Sequence, residues 1–275
     1  MACVDGSSSR WTGLSSLDLG LAGRRAIVCA SSRGLGFACA SALAREGVDV
    51  VINSRDGAAL ETARRRIAES HGVKVSAVVG DITEASTHEA LLSACPDPDI
   101  LVNNNGGPTP GRFEDWDRDA WIAALDANML APLAMVRLVL PGMVERRFGR
   151  IVNITSAMVK TPMSPMGLST GARTGLTSVM KSLSKDVAHA NVTINNILPE
   201  RIDTERQQQM AGLHAKSANI TVEEAYALMA RSIAAGRLGR PEEVGDACAF
   251  LCSAQAGYIS GQNLQLDGGS FAGLM

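Results

Sequence analysis

The run Cys29-Ala30-Ser31-Ser32-Arg33-Gly34-Leu35-Gly36 joins an apolar segment to the start of a helical one. A glycine-bearing turn in that setting can bind phosphate. Glycine lets the backbone approach a pyrophosphate, and the free N–H groups and positive dipole end of the helix stabilise its charge. The alternative reading of Gly34 and Gly36 is an ordinary tight turn. About 20 residues past such a turn, a site for an unphosphorylated ribose needs an acid to hold the hydroxyls. Here the chain reads Asn53-Ser54-Arg55. Asn53 is neutral, and the planar fork of Arg55 suits a 2′-phosphate. Arg33 offers a second contact, and Asp56 lies slightly late to serve as the acid. The pattern predicts NADP(H) over NAD(H). Against it stands the ordinary fate of surface arginines, which is to be solvated.

Elements of two kinds must position these residues. Short apolar runs fall at Arg25–Ala30, Val48–Asn53, Val75–Gly80, Ile100–Asn103, Arg150–Ile154, Val192–Leu198 and Asn263–Asp267. They are apolar on both faces, as parallel strands covered by helices are. Helical stretches lie between them: Gly34–Glu46, Ala58–Ser70, Ser86–Ala94, Arg118–Arg146, Ser169–His189 and Pro241–Ser253. Pro132 and Pro141-Gly142 interrupt the fourth. Residues 200–235 are polar and helical in part. Strand–helix alternation over the whole length predicts an α/β fold, a doubly wound parallel sheet of seven strands in a single domain (residues 15–275). The Ser/Gly-rich residues 1–14 read as a flexible extension without a secretory signal.

Composition narrows the partners. The 275 residues are 46% hydrophobic and 20% charged, enough for an ordinary core. The net charge of −2 offers no field for nucleic acid, and 4% aromatic content offers no stacking platform. No apolar run reaches transmembrane length, so no membrane contact is expected. The six cysteines form no CxxC pair and the four histidines are scattered, which predicts no metal site. The thiols read as small core residues in a reducing cytoplasm.

Several ordered motifs resemble the short-chain dehydrogenase/reductase family. They are the glycine turn (with Cys29 and Ala30 in the family's Thr and first Gly positions), Gly80-Asp81-Ile82, Asn103-Asn104-Asn105-Gly106, Asp126-Ala127-Asn128, Ile151-Val-Asn-Ile-Thr-Ser156, Arg240-Pro241-Glu242-Glu243-Val244 and Asp267-Gly268-Gly269. The resemblance covers about residues 17–269 and is nearest to 3-oxoacyl-carrier-protein reductases. It implies an NADP(H)-dependent oxidoreductase that interconverts a carbonyl and an alcohol, with 3-oxoacyl thioesters among the substrates. It implies cofactor contacts at Ala30, Ser32, Arg33, Gly34, Leu35, Gly36, Ser54, Arg55, Asp81, Ile82, Asn104, Gly106, Pro199, Ile202 and Thr204. It also implies a homotetramer built on two long helices, for which Gly171, Ala172 and Gly175 would allow close approach.

The same resemblance exposes a gap. Asn128 matches the helix Asn that holds a water chain, and Ser156 matches the Ser that binds the substrate oxygen. A helix-bend residue and a strand-end cap are their structural readings. The family's Tyr position, thirteen residues after Ser156, holds Ser169, and its Lys position holds Arg173. Ser169 is a far weaker acid than a phenol and suits a helix N-cap. Arg173 keeps the cation and can hold the nicotinamide ribose, but it passes on no proton at neutral pH. Tyr226 is read as packing a helix face. Two groups are candidates for the missing acid. Lys160 stands four residues after Ser156 among Met158, Met163 and Met166, an apolar setting that would lower its pKa. Glu200 replaces the family's Gly after Pro199, and could pair with Arg173 or Lys160 or act as an acid if desolvated. A cofactor-binding protein without catalysis, or a changed reaction on the same scaffold, is the alternative.

Overall fold

The computed structural model describes residues 17–274, so the extension at 1–14 lies outside the described residues, as does Cys3. Seven strands form one sheet: β1 (Arg25–Val28), β2 (Asp49–Ser54), β3 (Val75–Val79), β4 (Ile100–Asn103), β5 (Gly149–Ile154), β6 (Val192–Pro199) and β7 (Asn263–Leu266). Their order is β3-β2-β1-β4-β5-β6-β7, and every pairing is parallel. The central strands are buried on both faces, which explains their unbroken apolar runs. Edge strand β3 is buried at Val75 and opens towards its end, where Val79 is exposed.

Helices cover both faces. On one lie α1 (Gly34–Arg45), α2 (Gly57–His71) and α9 (Pro241–Cys252), where Leu43, Leu60, Ile67, Val244 and Cys248 meet Ala26, Val28 and Ile52 of the strands. On the other lie α3 (Ala85–Ala94), α4 (Arg118–Leu125), α5 (Ala131–Glu145) and α6 (Gly167–Val187), where Met135, Val139, Met143 and Met180 meet Ile27, Leu101 and Ile151. Neighbouring residues of β1 thus serve opposite cores, as the strand period of two requires. Cys29, Cys39, Cys95, Cys248 and Cys252 are free and buried, as their reading as small apolar residues predicts. Two further helices, α7 (Glu205–Ala218) and α8 (Val222–Arg231), follow β6 and carry their own small apolar contact around Ala211, Ala215 and Ala225.

One expectation needs correction, and a pair of glycines has a second explanation. The helical run Arg118–Glu145 is continuous through a π turn at Asp126–Leu130, and its 28 residues are long and apolar enough to cross a membrane. The sequence reading that no apolar run reaches transmembrane length is therefore too strict for this helix. Met135, Val136, Val139 and Met143 turn one face of it onto the sheet. The small residues of α6 serve contacts within the chain: a Cβ on Gly171 would lie 3.1 Å from the Trp121 ring, and one on Gly175 2.8 Å from Met129 Sδ. Close approach of α4 and the π turn to α6 accounts for both glycines within one chain.

A row of buried amides crosses the sheet. Asn103, Asn153, Asn196 and Asn263 are in register on β4, β5, β6 and β7. Asn103 Nδ2 donates to Asn153 Oδ1 at 2.9 Å, Asn153 Nδ2 to Asn196 Oδ1 at 2.9 Å, and Asn196 Nδ2 to Asn263 Oδ1 at 2.8 Å. The first three side chains are almost fully buried.

Candidate active site

The strand order reverses between β1 and β4, and a cavity of about 1080 Å³ opens beyond the carboxyl ends of the strands at that point. Such crevices are where open α/β sheets bind ligands. One end is walled by the loop after β1. Ala30, Ser32, Arg33, Gly34 and Leu35 face the cavity there. Gly36 does not. It packs behind the turn, where an added methyl would collide with the Ala30 carbonyl oxygen and lie 2.7 Å from Asn104 Nδ2. Its part is to let α1 start close to the strand, not to touch a ligand. Asn104 ties the same turn down, donating from Nδ2 to Ala30 O at 3.0 Å.

Ala30 holds a left-handed φ of 45°. That region costs an L residue with a Cβ roughly 1–2 kcal/mol, and glycine enters it freely. We therefore expect Ala30→Gly to stabilise the fold by about 1 kcal/mol after the extra chain entropy of glycine is subtracted. Urea denaturation checks this, and an unchanged or lower midpoint would count against strain at this turn.

At the end of β2, Asn53 is fully engaged. Its Nδ2 donates to Val78 O and Gly80 O, both at 3.0 Å, and its Oδ1 accepts from Ala30 N at 3.4 Å. Ser54, Arg55 and Arg33 face the cavity beside it, as does Asp56, whose Oδ1 is already taken by Ala58 N and Ala59 N at the start of α2. Arg55 reaches Asp81 at 3.5 Å and Arg33 reaches Glu205 at 3.1 Å, both as exposed ion pairs. Exposed pairs of this kind are weak, so both guanidiniums are available to an incoming anion. Asp81 also accepts from Thr83, which holds its carboxyl below the usual range. Ile82, Asn104 and Gly106 complete this wall.

The middle of the cavity gathers residues from β5, β6 and α6. Ser156 lines it and caps the short 3-10 turn Ala157–Val159, its Oγ accepting from Met158 N at 3.2 Å. Ser169 lies in the first turn of α6, buried, and not at the N-cap position, which Met166 occupies without a side-chain cap bond. Arg173 is clamped: Nε and Nη2 donate to Asn128 Oδ1 at 3.2 and 2.9 Å, Nη1 to Thr155 O at 2.6 Å, and Nη2 to Asn105 O at 3.2 Å. Burial pushes the guanidinium down to about 10, and the charge of Arg206 acts in the same direction. It stays cationic at neutral pH. Asn128 sits in the π turn and off the cavity wall, so its helix-bend and hydrogen-bonding readings describe one residue in two roles. Pro199, Glu200, Ile202 and Thr204 follow β6 along the opposite wall. The Glu200 carboxylate is raised above the usual range, first by desolvation and then by Asp267, with Arg201 opposing.

A family model described as enoyl-(acyl carrier protein) reductase matches residues 29–270. The chain is 31% identical to dehydrogenase/reductase SDR family member 4 of Oryctolagus cuniculus, over 91% of this chain and 94% of that one. The chain belongs to the short-chain dehydrogenase/reductase family. It is also 30% identical to a 3-oxoacyl-[acyl-carrier-protein] reductase of Vibrio cholerae, over 92% of this chain and 99% of the other. The solved L-sorbose reductase of Gluconobacter frateurii, in complex with NADPH and L-sorbose, superposes with a TM-score of 0.89 at 27% identity, covering 94% and 100% of the two chains.

In this short-chain dehydrogenase/reductase the two candidate acids separate. Lys160 is not on the cavity wall. It ends the 3-10 turn, which rotates its side chain away, and its ammonium sits 5.3 Å above the Phe271 ring. Glu200 is on the wall, and its partner is Arg201 at 3.7 Å rather than Arg173 or Lys160. Tyr226 donates to Asp203 Oδ1 at 3.1 Å and packs with the α7–α8 contact, as its helix-face reading predicts. The family resemblance implies that residues 200–235 cover the substrate, and α7 and α8 within that segment supply a wall of the cavity, though the sequence singled out none of its lining residues. Arg206, Met210 and His214 line the cavity at four-residue spacing, with Met229 opposite. That spacing marks one helix face.

Proposed function

We propose that the protein reduces a small-molecule carbonyl compound with NADPH, and that Glu200 delivers the proton in place of the family's phenol. The carrying observation is the place of Glu200. Ile154 of β5 pairs with Ile197 of β6, so Ser156 and Glu200 leave adjacent strand ends at nearly the same level and both face the cavity. Adjacent strands are about 4.8 Å apart. A desolvated carboxyl at that point holds a proton to higher pH than a solvated one and suits general-acid work.

The chain fits the dinucleotide. The turn after β1 brings backbone close to a pyrophosphate, Asn53 leaves no acid for a bare ribose, and Arg33, Ser54 and Arg55 suit a 2′-phosphate. The NADPH carried by the L-sorbose reductase supports the same choice. When bound, NADPH supplies the hydride. Ser156 donates a hydrogen bond to the carbonyl oxygen, and the Glu200 carboxyl gives that oxygen its proton and is reprotonated from solvent. Arg173 holds the nicotinamide ribose, and Asn128 holds Arg173. The 3-oxoacyl thioester named for the Vibrio relative is a first substrate to test.

NADPH oxidation against ketones, oxo acids and acetoacetyl thioesters tests the reaction. Arg55→Ala should weaken NADPH roughly 10–100-fold and leave NADH unchanged, the value of one or two charged hydrogen bonds. Tighter binding of NADH than NADPH by the unaltered protein would overturn the cofactor assignment.

A further inference from the structure

Five arginines line the cavity, and they fall into two groups. Arg33, Arg55 and Arg201 each have a carboxylate within 4 Å: Glu205, Asp81 and Glu200. Arg173 and Arg206 have none among the described residues. Arg206 makes one hydrogen bond, from Nη2 to Pro108 O at 2.8 Å, which leaves most of its donors free. The charges of Arg173 and Arg206 act on one another across the cavity wall. Two cations without a carboxylate partner raise the potential at this end of the site, Arg173 from a buried position and Arg206 from the exposed rim.

The wall around them is apolar in a particular way. Met158, Met166, Met210 and Met229 line the cavity from three separate segments. Unbranched thioether side chains adapt to apolar groups of varied shape. Arg206 and Met210 are one helical turn apart on α7, so the cation and this soft wall are contiguous.

From this juxtaposition we infer that the substrate is an oxo acid: an apolar carbonyl compound whose free carboxylate is bound by Arg206, in the field of Arg173, with its hydrocarbon part against the methionines. A guanidinium takes a carboxylate through two parallel N–H···O bonds, which makes Arg206 a specificity-determining residue. The inference rests on the reductase reading of the same cavity and narrows its substrate from carbonyl compounds at large. A thioester that lacks the carboxylate leaves Arg206 without its anion.

The test is binding, read by calorimetry with the protein saturated with NADP⁺, for a homologous series of straight-chain oxo acids and their methyl esters. The best acid should bind at least tenfold tighter than its ester. Arg206→Gln should remove that difference by weakening the acid alone, and Arg206→Lys should restore part of it. Equal binding of acid and ester, equal weakening of both in Arg206→Gln, no binding by any member, or tighter binding of a neutral acetoacetyl thioester would each overturn the inference. The reductase reading fails separately: if the acids bind with the expected discrimination and no NADPH is oxidised, the carboxylate site stands and the reaction does not.

Discussion

Replacing Glu200 by Gln should lower carbonyl reduction by about 10²–10⁴-fold, the usual span for removing a general acid, while NADPH binding stays within a factor of two or so. Gln keeps the shape and loses the proton. The pH dependence carries a second signature. The acid works only when protonated, so kcat/KM of the unaltered protein should fall as pH rises through the pKa of Glu200, at an inflection above the ordinary carboxylate range. The residual activity of the Gln variant should show no such inflection. Arg201 holds that pKa down, so Arg201→Gln should move the inflection higher. In the Gln variant stability should move the other way from activity. The folded-state pKa is raised, so the favourable contribution of this carboxyl is complete below its unfolded pKa and is lost as pH rises through the folded one. Glu200→Gln should therefore raise Tm relative to the unaltered protein above that pH and change it little below. A variant with full activity and an unchanged pH profile would remove Glu200 from the chemistry. A residue that merely supported the wall would lower Tm when changed, with no loss of the inflection.

How much of this was legible in the sequence depends on how local each feature is. The strands could be read because parallel strands buried on both faces must be apolar throughout, and the helices because one face of each must be apolar. The dinucleotide end could be read because a turn and a helix start are set within eight residues of chain. The centre was less legible. Arg173 takes its partners from Asn105, Asn128 and Thr155, which are 68, 45 and 18 residues away, and no spacing rule reports that clamp. Lys160 looked close to Ser156 because four residues separate them, but the 3-10 turn between them changes the direction of the side chain. Glu200 was found because it stands where the family has a backbone-only residue. The outer wall was legible as a segment, residues 200–235, but not residue by residue. Arg206, Met210 and His214 share one face of α7, and spacing alone does not say whether such a face meets solvent or a cavity. The amide row was hidden most fully: its four residues are unremarkable singly, and only the register of four strands aligns them.

That row sets the largest stability effect expected in the molecule. Asn153→Leu removes an acceptor and a donor from the buried centre of the sheet. Asn103 Nδ2 then has no acceptor and Asn196 Oδ1 no donor at that position, and both side chains are almost fully buried. Each orphaned buried group costs about 1–3 kcal/mol, so the variant should lose about 3–5 kcal/mol. Against a typical total of about 5–15 kcal/mol, that brings the fold near its limit. The same substitution at the end of the row should cost much less. Asn263 is only half-buried and accepts a single bond of the row, so its loss orphans one buried group, Asn196 Nδ2, instead of two. Urea midpoints should therefore order the proteins as unaltered, then Asn263→Leu, then Asn153→Leu. Changing Asn103 and Asn153 together should cost less than the sum of the two, because the second change removes a donor that the first had already orphaned. Equal losses for Asn153→Leu and Asn263→Leu would mean that the amides act as isolated side chains rather than as a connected row. The consequence reaches the active site through chain connectivity. Asn103 directly precedes Asn104, which holds the Ala30 turn, and Asn153 lies three residues before Ser156. A sheet held in register by these amides keeps the cofactor loop and the substrate-binding hydroxyl at fixed height on neighbouring strands. Asn153→Leu should consequently weaken NADPH binding in the protein that remains folded, whereas Asn263→Leu should not.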